Sequence, residues 1–215
     1  MMNSDKERKD KVGAGQPASA FARIERVPPL LLLLYLGLAG ITVLFIGLVV
    51  AYVYTRHLSG LPTGLHPLPR YFSLSTIVLL VSSYTLSQAR RLYQQDDMTS
   101  LARCLGATLI LGCIFAGLQV VGWRELLAHD ALIKGEASGT YVSLISALHA
   151  AHLLGGMVFL LTLLLRTLHA SRDAVRSLVF IRNPYRRMQL RMLGIYWHFI
   201  DGLWVALFAL FLFLY

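Results

Sequence analysis

A chain of 215 residues that is 56% hydrophobic and only 14% charged falls in the membrane class, and its shortage of polar surface excludes an ordinary soluble domain. The net charge of +9 does not mark a nucleic-acid face, because the basic residues sit in short stretches between long apolar runs instead of along one stripe. No nucleic acid is expected as a partner.

Residues 1–20 are polar, carry Gly13, Gly15 and Pro17, and read as disordered, within a cytoplasmic tail over 1–27. Pro28 and Pro29 suit the first turn of a helix, where a missing N–H costs little. Five apolar runs then follow, at 30–54, 71–89, 101–123, 141–165 and 192–215. Each is long enough for a hydrocarbon core of about 30 Å, which takes about 20 helical residues. The alternating segments of a membrane barrel are absent, so the expectation is an all-α polytopic protein with five transmembrane helices over 28–215. The first run is too long for a signal-peptide core and no small-residue cleavage site follows it.

Lys and Arg are distributed unevenly among the connections. Sixteen fall in the tail, the second connection and the fourth, which runs from Arg166 to Arg191; Arg56, Arg70, Arg124 and Lys134 make up the other side. The positive-inside rule therefore predicts a cytoplasmic N-terminus and Tyr215 on the far side. The fourth connection could also meet anionic headgroups or an acidic partner. The third could hold a short surface helix around Glu125 to Ile133.

The second span carries Ser73, Ser75, Thr76, Ser82, Ser83 and Thr85, which read as hydroxyls bonded to carbonyls and neighbouring helices, with a pore lining as the alternative. Gln119 on the third span reads the same way. Cys104 and Cys113 are nine residues apart on that span, roughly 13 Å along a helix, beyond the reach of a disulfide and without metal-binding spacing. The fourth span has small residues at Ser143, Ala147, Ala151 and Gly155, a repeat that lets another helix approach closely, and His149 on nearly the opposite face.

Asp201 is the only acidic residue inside a predicted span. At mid-depth it costs about 2.5–3.5 kcal/mol to insert, so it should face protein. His198 lies one turn earlier, and His149 and His152 lie at matching depth on the antiparallel fourth span. We expect these four to form an intramembrane polar cluster. Metal or haem ligation, a proton relay and structural hydrogen bonding are the three chemistries open to it. No phosphate-binding glycine loop, no nucleophile paired with a base and no internal repeat accompanies them, so neither a catalytic centre nor a transporter architecture is indicated.

The last span reads Tyr196, Trp197, His198, Phe199, Ile200, Asp201, Gly202, Leu203, Trp204, and this run resembles the terminal helix of haem-copper oxidase subunit III. Leu148 to Gly156, reading LHAAHLLGG, resembles that family's fourth-span helix, and Gln119, Ser82, Ser83, Thr85 and Arg166 stand at corresponding places. The resemblance covers about residues 30–215 and implies the short five-helix form of the subunit III bundle.

It further implies an accessory subunit of a bacterial respiratory oxidase in the inner membrane. Such a subunit carries no cofactor or metal of its own, the haems and copper being held by partner subunits I and II. It supports complex stability, lipid binding and proton uptake, with Arg166 at a phospholipid phosphate. An accessory subunit of a nitric oxide reductase system and a small proton-coupled channel or transporter are the alternatives. The chain departs from the family at Ile41, Gly122 and Arg191, where glutamate is common.

Overall fold

The computed structural model describes residues 28–59, 70–132 and 137–214, and within them the side chains outside 59, 126–132, 137–139, 174–175 and 214. The predicted tail at 1–27 and Tyr215 lie outside the described residues. Six helices follow in order: α1 (Pro29–Ser59), α2 (Arg70–Gln94), α3 (Met98–Leu132), α4 (Ala137–Ala170), α5 (Ala174–Arg182) and α6 (Pro184–Leu214). There is no strand among the described residues. All but α5 are long and apolar enough to cross a membrane, at the five places the apolar runs predicted.

The helices outlast those runs. α1 and α6 have 31 residues each, or about 46 Å at 1.5 Å per residue, so their ends stand in the headgroup region, where polar side chains are solvated and the backbone can stay helical. Two expectations are corrected by this persistence. The surface helix expected around Glu125 to Ile133 is the continuation of α3 to Leu132, with Ile133 outside the described residues. The connection expected from Arg166 to Arg191 is mostly helical: α4 runs to Ala170, α5 follows, and α6 begins at Pro184.

Local chemistry sets these ends. α2 stops in a Schellman turn, in which Asp96 takes φ 59° and the N–H groups of Asp96 and Asp97 reach back to the carbonyls of Tyr93 and Leu92. Asp97 then caps α3, its Oδ1 accepting from Ser100 N at 2.9 Å. That bond and its neighbours hold the Asp97 carboxyl below the ordinary carboxylate range. Asn183 caps α6 by accepting from Tyr185 N at 3.0 Å, with Pro184 at the first helical position.

α2, α3, α4 and α6 pack as a closed ring in which each touches the next and α6 returns to α2. Its core includes Leu79, Leu105, Phe115, Leu153, Leu160, Trp197, Ile200 and Trp204. α1 stands outside the ring against α4 and α6. A second, aromatic cluster with Phe45, Tyr52, Ile145 and Phe211 at its centre holds it there, and Ile41 packs at the margin. Tyr52 meets Tyr141 at 6.0 Å and Phe211 at 6.2 Å between ring centroids. The other faces of α1 leave large apolar side chains such as Leu33, Leu36, Val43 and Leu58 at the surface.

Close helix approach on α4 occurs one residue away from the expected stripe. Ala147, Ala151 and Gly155 are exposed. Gly156 is buried, and a Cβ there would lie 2.8 Å from Cε1 of Tyr196. A step of one residue turns the contact by 100° around the helix, which carries it from the outward stripe to the α6 side.

Candidate functional site

The terminal motif is a set of polar groups aimed at neighbouring helices. Tyr196 donates its hydroxyl to the His152 carbonyl on α4 at 2.8 Å. Trp197 Nε1 donates to Ser82 Oγ at 3.2 Å, His198 Nδ1 shares a hydrogen with Ser83 Oγ at 2.7 Å, and Trp204 Nε1 donates to Thr76 Oγ1 at 3.0 Å. Three of the four partners are hydroxyls on α2. They recur there because Thr76 and Ser83 are seven residues apart, about two turns of helix, and their partners Trp204 and His198 on α6 are six apart. Phe199 is half-buried against the main core.

Ser75, Thr76, Ser82, Ser83 and Thr85 thus bond to carbonyls or to neighbouring helices, as expected of hydroxyls in a span. Ser75 accepts from Gln119 Nε2 at 3.1 Å and also donates to the Phe72 carbonyl. Thr76 returns its proton to the same carbonyl, and Thr85 bonds the Val81 carbonyl. Cys104 packs against α2 with its Sγ 3.0 Å from the Thr85 carbonyl.

The four ionisable residues of the predicted cluster fall into two pairs, His149 and His152 on α4, and His198 and Asp201 on α6, which share Ser83 of α2 as a neighbour. His149 is 0% exposed and lies 4.9 Å from the Trp204 ring and 6.0 Å from Phe115, centroid to centroid. Neither of its ring nitrogens has a hydrogen-bond partner among the described residues. His152 bonds the Leu148 carbonyl through Nδ1 at 2.8 Å and meets Phe45 of α1 edge-on at 5.8 Å. His198 is exposed and held by Ser83 on α2. Asp201 is 3% exposed; its carboxyl approaches the Ser83 hydroxyl of α2, without a well-aligned hydrogen bond among the described residues.

α4 and α6 thus meet through His149 and Trp204, one turn beyond Asp201. No hydrogen bond among the described residues joins any two of the four. No group of three His, Cys, Asp or Glu that could hold a metal ion occurs among the described residues. The His149 ring itself is walled by aromatic side chains.

Arg166 is exposed at the end of α4. It borders a cleft of about 490 Å³ with His169, Arg176, Phe180 and Arg186. Arg176 donates to His169 Nε2 at 2.7 Å and pairs with Asp173 at 3.5 Å, while Arg186 bonds Gln189 and lies over the Phe180 ring at 5.4 Å. Arg166 makes no hydrogen bond or ion pair among the described residues. The tyrosine–glycine contact at Tyr196 and Gly156 and the role of Thr76 were not singled out from sequence, although the paired glycines at 155–156 were the available signal.

A ring of spanning helices whose last member bonds sideways into a ladder of hydroxyls defines a polytopic α-helical membrane protein with its polar groups spent on helix pairing. No family model matches the chain. It is 31% identical over 180 residues, 81% of each chain, to cytochrome c oxidase subunit 3 of Bacillus sp. (strain PS3), and 28% identical over 181 residues, again 81% of each, to that of Bacillus subtilis (strain 168). It is 29% identical over 139 residues to the probable cytochrome c oxidase subunit 3 of Mycobacterium tuberculosis (strain ATCC 25618 / H37Rv), a match that spans 65% of this chain and 64% of that relative. The chain belongs to the cytochrome c oxidase subunit 3 family.

Proposed function

We propose that this chain is the accessory, non-redox subunit III of a bacterial haem-copper terminal oxidase. In this reading it is bound to catalytic subunit I and to subunit II, which hold the haems and copper, and it reduces no oxygen itself. The observation that carries the reading is the match over 81% of each chain to the Bacillus subunit 3. It is supported by a terminal helix whose motif groups bond to α2 and α4. The complex sits in the cytoplasmic membrane with the N-terminus inside, a placement supported by the arginines gathered at the ends of α2 and α4, in α5 and at the start of α6.

Two finer roles belong to the same proposal. Arg166 binds a phospholipid phosphate: its guanidinium is unengaged, and the cleft beside it has apolar walls at Leu165 and Phe180. Asp201 supports proton uptake by the catalytic subunit, since it is the one buried carboxyl within the described spans and has only the Ser83 hydroxyl beside it.

An affinity tag on this chain tests the assignment. In mild detergent it should co-purify a haem-bearing subunit with a Soret band, whereas the chain separated from that subunit should carry no haem. A haem bound to the isolated chain would sink the reading. In proteoliposomes the isolated chain should conduct no protons above empty vesicles; proton flux lost in Asp201→Asn would instead make it a transporter.

A further inference from the structure

Apart from the Arg166 cleft, with which it shares no lining residue, the ends of three helices border a cavity of about 220 Å³. Arg90 and Gln94 come from the last turns of α2, Arg187 and Arg191 from the first turns of α6, and Pro28 and Leu31 from the start of α1. Among the described residues no acidic side chain lines it. None of the three guanidiniums, nor the Gln94 amide, has a hydrogen bond or ion pair among the described residues. Tyr93, which also borders the cavity, is already committed, its hydroxyl donating to the Ile181 carbonyl at 2.8 Å. Asp96 and Asp97, in the turn after α2, lie outside the lining, with Asp97 occupied in capping α3.

Three like charges around one small space repel one another unless an anion sits between them. The positive-inside bias alone does not require this arrangement, because Arg91, Arg103, Arg172 and Arg182 stand exposed at the same end of the bundle without lining the cavity. The N-terminal end of α6 adds its positive pole to the same space. Guanidiniums in this number fit the several oxygens of a phosphate, which accept paired N–H donors. The wall opposite them is apolar: Leu31 is buried and begins the long apolar length of α1. An anion with a hydrocarbon tail satisfies both walls at once.

We propose that this cavity is a binding site for the phosphate of an anionic phospholipid from the adjoining leaflet, held by Arg90, Arg187 and Arg191 with its acyl chains against α1. The proposal concerns these residues alone and does not depend on the oxidase reading.

The test uses the full chain with its native partners, stripped of lipid in detergent and titrated with phosphatidylglycerol or phosphatidylcholine under native mass spectrometry. The wild type should retain one phosphatidylglycerol at least five-fold more strongly than phosphatidylcholine at a site that Arg187→Gln/Arg191→Gln abolishes. Arg90→Gln should weaken the same site from another helix. Arg172→Gln, which touches neither basic cleft, should change nothing, and Arg187→Lys/Arg191→Lys should keep assembly with an intermediate affinity. Arg166→Gln should remove a different bound lipid, so loss in one cleft and retention in the other separates this proposal from that reading.

Unchanged phosphatidylglycerol retention in the Gln double variant, at wild-type thermal stability, would overturn it. Inorganic phosphate that binds in a manner sensitive to the same substitutions, with no preference between the two lipids, would overturn the lipid occupant and assign the cavity to a soluble anion.

Discussion

Gly156 is the position at which the smallest change has the largest foreseeable effect. A methyl group there meets the Tyr196 ring at 2.8 Å, so Gly156→Ala should cost roughly 1–3 kcal/mol, the usual range for overpacking, and should lower the thermal midpoint in detergent. Gly156→Ala/Tyr196→Leu should recover most of that loss, because the clash is with the ring. Trp204 and Thr76 offer a subtler case: Trp204→Phe and Thr76→Val should each lose about 0.6 kcal/mol from the shared hydrogen bond, and the double variant little more than either alone, a coupling that a double-mutant cycle measures. Asp97 gives a pH dependence with a defined sign. Its carboxyl is held below the ordinary range by Ser100, so its stabilisation is complete at neutral pH and disappears as pH falls through the lowered value. Asp97→Asn should flatten that part of the stability profile, read from thermal unfolding at neutral and acidic pH. The motif residues were legible in the sequence because ionisable and indole groups are rare in spans and need partners. The partners themselves were legible only as a class, since period and spacing put Thr76, Ser82 and Ser83 on one helix without saying which of them faces α6.

Taken as elements, α2 and α6 are complementary halves of one contact. α2 has the least apolar window of the five spans, with a mean hydropathy of 1.2 against 2.5 for α1, and the difference is the hydroxyl ladder that α6 engages. A hydropathy window found both helices, because a span of about 20 apolar residues has no competing reading. What it missed was α5 and the true ends of α3 and α6. These depend on caps and on helix persistence in the headgroup layer, where charge no longer opposes helix formation. The small-residue stripe on α4 is left uncovered within this chain for a related reason: a four-residue repeat fixes a face but not which neighbour covers it. α5 itself is tied down by Tyr93, whose hydroxyl reaches the Phe180 and Ile181 carbonyls. Tyr93→Phe should therefore loosen α5 with little effect on the spanning helices, visible as faster amide exchange confined to residues 174–182.

Over the molecule as a whole, the ring of α2, α3, α4 and α6 carries one core and α1 a second, smaller one shared with α4 and α6. Family membership was legible because the motif falls within the helix that closes the ring, and a helix that must satisfy neighbours on several sides tolerates few alternatives. Placement of α1 outside the ring was not legible, since its sequence is apolar on every face. Its seat has a temporal meaning. The surfaces that receive α1 belong to segments that begin 78 residues or more after its end, so during synthesis α1 must wait in the lipid, unclaimed, while the hairpin of α2 and α3 can pair at once. A nascent chain halted before α6 should accordingly leave α1 open to disulfide trapping by cysteines on unrelated lipid-facing helices, and release of the full chain should end that promiscuity.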